Sequence, residues 1–402
     1  MWINRDFLKN LDPAKCLESV LIRGPRQIGK TSILLKMQPL IKSNLFLDDV
    51  NDRNRASQDP EFIISQLELP TLVDEIQRAP EILFSIKKQI DRQRRVRQET
   101  GQQTMPAAFR LTGSNQTEID QSLKESLAGR VSIFRIHGLS LNELLEFDPA
   151  ISLRQILFRG GFPELWIRPE LNPVFYLNDY ISTFIEKDIA RTAGVEKLAE
   201  FSRALGLLAA RVGELLNFES VAKDAGVSGK AVKEWVSLLE RNGILYILKP
   251  YFTNLNKRII KMPKAYFIDS GICVRLQAHQ EMSSILSTPQ AGHLFENLVV
   301  AEVIKIKDHF MKDLNLFFWR TKEKEEIDLI VESDHEIVLL DAKLGTAIHA
   351  DFPIPPALLA KKKAIRRAFV TAAGERKKYQ DGIDIVPISD LTKYILNEND
   401  LD

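Results

Sequence analysis

At 402 residues the chain is too long for one compact core, and its length predicts two to four domains. Hydrophobic residues make up 45% and charged residues 27%, the proportions of an ordinary soluble globular protein, and 55 basic against 54 acidic side chains leave any nucleic-acid surface to be local. Two distant cysteines, Cys16 and Cys273, exclude a disulfide framework or a cysteine-based zinc site and fit a reducing cytosol, so a cytoplasmic location is expected. The N-terminus lacks a basic-then-apolar signal pattern, and no apolar run approaches about 18 residues, so neither secretion nor a membrane partner is expected.

From Ser19 to about residue 136, short β-rich runs alternate with helical stretches. The runs are Ser19–Arg23, Asn44–Leu47, Thr71–Asp74, Ala108–Thr112 and Val131–Phe134, a pattern that predicts a parallel sheet covered on both faces. The first run leads into Gly24-Pro25-Arg26-Gln27-Ile28-Gly29-Lys30-Thr31, a complete G-x-x-x-x-G-K-[ST] pattern, and an apolar helix from Ser32 to Met37 leads out. Such a loop turns successive backbone N–H groups toward phosphate oxygens, and the helix N-terminus adds a favourable dipole. Lys30 is expected to neutralise the β- and γ-phosphates of ATP, with the Thr31 hydroxyl on Mg²⁺; residues 24–32, through Ser32, form the expected ATP-binding segment. The alternative is a chance Gly-rich turn.

Thr71-Leu-Val-Asp74-Glu75 ends an apolar strand in two carboxylates about forty residues after the loop. Asp74 then falls at the Mg²⁺ position and Glu75 at the attacking water, as in a Walker B element. Taken alone, such a pair is an ordinary solvated strand end. After it, Lys87, Lys88, Arg92, Arg94, Arg95 and Arg97 form a basic stretch, read either as a phosphate-binding surface or as a solvated helix face, and Gln98 to Pro106 reads as a polar loop.

Leu111-Thr-Gly-Ser114-Asn115 ends the next strand in small polar groups, and Leu127-Ala-Gly-Arg130 follows. Here the chain resembles the AAA-type ATPases. The resemblance implies that Ser114 or Asn115 acts as sensor 1, holding the attacking water; a plain turn is the alternative. It also implies that Arg130 faces the γ-phosphate of a neighbouring subunit in a homo-oligomer, with a salt bridge as the alternative. With Val73-Asp-Glu-Ile-Gln77, Leu139-Ser-Leu-Asn-Glu143, Gly160-Gly-Phe-Pro163 and Tyr266-Phe-Ile-Asp269-Ser-Gly271, the likeness narrows to a prokaryotic group of AAA-type ATPases. That group carries a C-terminal domain of unknown function with a PD-(D/E)xK nuclease-like fold.

Helices are expected from about Pro173 to Ala193 and from Glu196 to Leu216. Phe218–Ala225, a turn at Gly226-Val-Ser228 and Gly229–Asn242 read as a helix-turn-helix. Ile244–Lys249 with Arg258–Met262 are expected to form the hairpin wing. Lys230, Lys233, Lys257 and Arg258 are then DNA-binding candidates; a packing module without DNA is the alternative. Further on, a helix is expected at Ala291–Lys307 and strands at Leu316–Trp319, Glu326–Val331 and Ile337–Ala342; Lys361–Ala368 reads as a helix and Phe369–Thr371 as a strand.

Glu296, Asp328, Asp341 and Lys343 stand in the order found in PD-(D/E)xK nucleases. Strand alternation puts Asp341 and Lys343 on one face. Asp328 and Asp341 are the expected ligands of Mg²⁺ or Mn²⁺, and Lys343 the group acting on the reacting phosphate or water. A docking module that has kept the fold without the chemistry is the alternative. The expected α/β architecture is thus an AAA-type core at 1–150, a helical lid or linker at 151–216, a winged-helix segment at 217–262 and a nuclease-like domain at 263–402. The function it predicts is ATP hydrolysis coupled to DNA binding or processing. The competing expectation is a nucleotide-gated switch whose C-terminal domain docks a protein partner.

Overall fold

The computed structural model describes residues 2–10, 19–36, 41–101, 108–114, 127–189, 195–251, 262–321, 323, 325–345 and 352–397. The chain divides into two compact units, Asn4–Gly138 with Asp308–Met311, and Leu139–Lys307 with Lys312–Asp402 and the first three residues.

In the first unit α1 (Asp6–Asn10) precedes β1 (Ser19–Arg23), α2 (Lys30–Lys36), β2 (Ser43–Phe46), α3 (Val50–Gln58), α4 (Pro60–Gln66), β3 (Thr71–Asp74), α5 (Ile82–Thr100), β4 (Phe109–Gly113) and β5 (Val131–Arg135). The strands pair in parallel in the order β2-β3-β4-β1-β5. Strands β1, β3 and β4 are buried along their whole length, as strands covered on both faces must be, which is why they read as unbroken apolar runs. Leu21, Val73 and Leu111 join Ile82, Ile86 and Ile90 of α5 in one core. Because β4 lies between β1 and β3, its C-terminal end falls between the phosphate loop and the Asp74–Glu75 pair. The expected loop from Gln98 starts later: α5 runs on to Thr100 and stops at left-handed Gly101. Residues 102–107 lie outside the described ones.

The second unit opens with α6 (Leu141–Phe147), α7 (Leu153–Arg159), α8 (Pro163–Ile167) and α9 (Pro173–Tyr180). Ser140 and Ser152 each close a capping box, with Glu143 and Gln155. The expected helix from Pro173 changes pitch at Ile181, continuing as a π-helical segment, Ile181–Ile189, up to the undescribed residues 190–194. Next come α10 (Leu198–Ala210), α11 (Phe218–Ala225) and α12 (Gly229–Arg241). The expected extension of α10 to Leu216 fails: it ends at Ala210, and Gly213 is left-handed. Asn217 and Ser228 cap α11 and α12, and the Trp235 indole meets the Phe201 ring edge-on at 5.4 Å.

β6 (Leu245–Pro250) pairs antiparallel with β7 (Lys264–Phe267), so the partner of Leu245–Leu248 lies beyond the expected Arg258–Met262. The buried run Ala265-Tyr-Phe267 supplies the apolar face that β6 needs, whereas 252–261 fall outside the described residues and Met262 is in no strand. After β7 come α13 (Ser270–Leu276), α14 (Ala291–His309), β8 (Asn315–Arg320), β9 (Glu326–Glu332), β10 (Glu336–Lys343), α15 (Pro356–Leu359), β11 (Ala364–Thr371), β12 (Lys377–Lys378), β13 (Asp384–Pro387) and α16 (Leu391–Leu396). One sheet, ordered β12-β13-β11-β10-β9-β8-β6-β7, therefore runs through the expected boundary at 262/263. Residues 364–368, expected to be helical, are the first half of β11, parallel to β10. The Lys361–Lys363 run favours a helix locally, but Ile365 and Phe369, four apart and so on one strand face, are claimed by the core beside β10, and pairing overrides propensity.

Candidate active site

The phosphate loop follows β1 directly. Gly24 sits so close to Ile136 that a Cβ there meets the Ile136 carbonyl oxygen at 2.3 Å, so the first glycine is required by space. Gln27 and Gly29 are both left-handed, which is costly for the glutamine and free for the glycine. Lys30 opens α2 with its side chain buried, donating to the Pro25 carbonyl at 2.8 Å and lying 3.9 Å from Glu75 Oε1. Burial pushes the Lys30 ammonium's pKa down, against the pull of Glu75 and Asp74.

Thr31 Oγ1 donates to Asp74, 2.9 Å from Oδ1 and 3.0 Å from Oδ2. Thr112, on β4, donates to the same Oδ1 and accepts from the Glu75 backbone N–H at 2.9 Å. Burial pushes the Asp74 carboxyl up, more than the hydrogen bonds from Thr112 and Thr31 draw it down. A threonine hydroxyl beside a carboxylate with both oxygens turned to it is a hard-oxygen donor set that fits Mg²⁺.

Glu75 occupies a left-handed conformation, φ 53°, unusual for a residue with a Cβ. That twist turns its carboxylate away from Asp74 toward Ser114, whose Oγ donates to Oε2 at 2.5 Å. Gln77 Nε2 donates to the same carboxylate oxygen and to Ser114 Oγ, the latter at 2.9 Å, while its own Oε1 is buried without a partner. Burial opposes the Glu75 charge, but Lys30 and the hydrogen bonds from Ser114 and Gln77 prevail and hold its carboxyl below the ordinary range. Of the two sensor candidates, Ser114 is the one placed on Glu75; Asn115 lies outside the described residues. Thr112 and Gln77 were not among the residues assigned roles from sequence, although both stand inside quoted motifs.

Arg130 is engaged within its own unit: Nε and Nη2 reach the two oxygens of Asp91 on α5 at 2.7 and 3.1 Å. This is the salt bridge of the alternative reading. On the basic stretch, Lys88 pairs with Glu61 at 2.6 Å and Arg94 donates to the Gly129 carbonyl at 2.8 Å. On α12, Lys230 is exposed and 3.9 Å from Glu234, and the Lys233 ammonium lies 5.5 Å from the centre of the Phe218 ring. Lys257 and Arg258 lie outside the described residues. Asp269 ties two of the quoted motifs together, accepting from the Gly161 and Ile272 N–H groups at 2.7 and 3.0 Å.

The four C-terminal candidates do come together, but not as a ligand set. Glu296 Oε1 accepts from the buried Lys264 at 2.8 Å and from the Tyr266 hydroxyl at 2.5 Å, and its Oε2 lies 3.4 Å from His293. Asp328 Oδ2 accepts from the Ala342 N–H at 2.9 Å. Burial, then the negative charges of Glu296 and Asp341, push the Asp328 carboxyl well up. Lys343 pairs with Asp341 at 2.7 Å, on the shared face expected from alternation. Among the described residues no group of three or more His, Cys, Asp or Glu side chains is arranged to hold a metal. The Glu296, Asp328 and Asp341 set thus does not fit a divalent ion, because ammonium groups already sit on two of its three carboxylates.

Residues 18–145 match the AAA domain family, 151–283 a domain of unknown function (DUF8612) and 291–391 a second one (DUF4143). Uncharacterized proteins of Mycobacterium tuberculosis and Mycobacterium bovis are each 27% identical over 315 residues, 78% of this chain and 67% of theirs. One from Haemophilus influenzae is 23% identical over 294 residues, 70% of this chain and 69% of its own. Among solved structures, the Aeropyrum pernix ORC2 protein in its ADPNP-ADP complexes aligns over 75% of this chain and 92% of that one, at 12% identity and a TM-score of 0.32. Protein VC1899 from Vibrio cholerae aligns over 94% and 97%, at 11% identity and a TM-score of 0.20. Scores that low carry no inference about fold or site. Among the described residues no helix is long and apolar enough to cross a membrane. The AAA match, the parallel sheet and the phosphate loop at its β1–α2 turn together make residues 18–145 an AAA-type P-loop ATPase domain.

Proposed function

We propose that the chain hydrolyses ATP at the site formed by the loop after β1, the end of β3 and the end of β4. The observation that carries this is the convergence of Lys30, Thr31, Asp74, Glu75 and Ser114 through direct contacts of 2.5 to 3.9 Å. Residues 24–32 bind the triphosphate: backbone N–H groups and the α2 N-terminus take the phosphate oxygens, and Lys30 swings from the Pro25 carbonyl onto the β- and γ-phosphates. Thr31 and Asp74 hold Mg²⁺, which when bound neutralises charge building on the phosphates. Glu75 takes the proton of the attacking water. Its depressed pKa keeps it ionised at neutral pH, and Ser114, backed by Gln77, aims it. The test is nucleotide binding by calorimetry. Lys30→Ala abolishes detectable Mg-ATP binding, and Thr31→Ala weakens it only when Mg²⁺ is present. Equal affinity of wild type and Lys30→Ala overturns the proposal.

A second reading, that turnover is coupled to DNA, has one supporting observation. α11 and α12 form a tight helix pair followed by an antiparallel strand pair, the order of a winged helix, and Lys230 projects into solvent from the first turn of α12. Salt-dependent binding of duplex DNA that stimulates ATPase activity supports it. No binding at low salt leaves the protein-docking alternative.

A further inference from the structure

The buried ammonium of Lys264 is a feature of the second unit that neither nucleotide nor DNA chemistry uses. Lysine is rarely buried, because its ammonium loses its hydration. Here the side chain is 2% exposed, on a strand otherwise lined by Ala265, Tyr266 and Phe267. Its Nζ donates to Glu296 Oε1 at 2.8 Å and forms an ion pair with Glu326 Oε1 at 2.6 Å, off the hydrogen-bond direction for that second oxygen. The ring of Phe318 lies 5.5 Å away on another side. Arg320 takes the second oxygen of Glu326 at 3.2 Å, and Lys343 takes Asp341 at 2.7 Å. At least one cation therefore stands on each of these acids, two of them on Glu326, and Asp328 is left to the Ala342 N–H.

We propose that Lys264 is the resident cation of this carboxylate cluster, held by Glu296 and Glu326 beside the Asp328–Asp341 pair from which a divalent-metal site is expected. In that role it joins β7, α14 and β9 through one buried charge, and the cluster holds the fold rather than an ion. A divalent ion bound at Asp328 and Asp341 has to displace Lys343 from Asp341 and accept Lys264 as a like-charged neighbour of its Glu296 side. Both requirements oppose binding.

Titration of the nucleotide-free full chain with Mn²⁺, followed by the loss of the free-ion paramagnetic resonance signal, tests this. The probes are wild type, Asp328→Asn, Lys264→Met, and Lys264→Met with Asp328→Asn, each checked for folding by thermal melting. Wild type is expected to bind no Mn²⁺ below about 1 mM at this cluster. Lys264→Met, which removes the cation but keeps the volume, is expected to gain a site at least about tenfold tighter. Adding Asp328→Asn is expected to remove that site again. Wild-type binding in the micromolar range that Asp328→Asn abolishes overturns the proposal, and so does a folded Lys264→Met chain that binds no better than wild type. If Lys264→Met does not fold, the wild-type and Asp328→Asn titrations decide alone. The P-loop reading is untouched either way, since ATP binding is measured separately.

Discussion

Removing the two donors that aim Glu75 is the sharpest perturbation of the hydrolytic step. Ser114 Oγ and Gln77 Nε2 both donate to one carboxylate oxygen, and Glu75 touches neither the phosphate loop backbone nor Asp74 through them. Ser114→Ala and Gln77→Ala therefore spare ATP binding and act on catalysis. A hydrogen bond to a charged group contributes about 1.5–3 kcal/mol, and each 1.36 kcal/mol is about tenfold in rate. Each single change is thus expected to lower kcat by about tenfold to a hundredfold with KM within about twofold, and the double change by less than the product, since the two side chains also bond each other. The sign of the pH effect follows from the same donors. With the Lys30 charge they hold the Glu75 pKa below the ordinary range, so losing them raises it, and the acid limb of the kcat profile moves toward neutral pH. Phosphate release at saturating Mg-ATP, measured from about pH 5 to 8, reads both effects. A double variant with wild-type kcat and an unmoved acid limb refutes the assignment of Glu75 as base.

Other consequences are equally concrete. Trp235→Ala removes the ring packed between α10 and α12 and should cost about 3–5 kcal/mol in denaturant unfolding. Lys264→Ala leaves the buried Glu296 without its ammonium and Glu326 with Arg320 alone, and should cost about 3–5 kcal/mol by the same measurement. If Arg130 also serves a neighbouring subunit, mixing Arg130→Ala with Glu75→Gln chains restores ATPase activity; a linear average of the two inactive samples shows that the Asp91 pair is its whole role. Lys230→Ala with Lys233→Ala should flatten the salt dependence of duplex DNA binding by about two units of slope, and an unchanged slope removes α12 from the interface.

What the sequence made legible was chiefly local. The phosphate loop and the Asp74–Glu75 strand end are short motifs whose neighbours in sequence are their neighbours in space, and strand β3 begins and ends where its apolar run does. Thr112 and Gln77 were harder, because their partners lie 38 and 37 residues away and depend on β4 inserting between β1 and β3. The Arg130–Asp91 pair has the same cause, a separation of 39 residues that only the fold closes. β11 was misread where the propensity of Lys361–Lys363 outweighed a period-two pattern that only pairing with β10 makes decisive. Lys264 left one faint signal, a lone lysine opening an apolar strand, and nothing in the chain says that Glu296 and Glu326 are waiting for it.

The central claim is that one site binds ATP through Lys30 and hydrolyses it through Glu75. It is tested most directly by measuring Mg-ATP binding and single-turnover hydrolysis on the same preparations of wild type and Glu75→Gln. Affinity is expected to stay within about threefold, because the carboxylate contacts the water and not the nucleotide, while hydrolysis falls by about a hundredfold or more. Glu75→Gln chains that turn over ATP at the wild-type rate contradict the account.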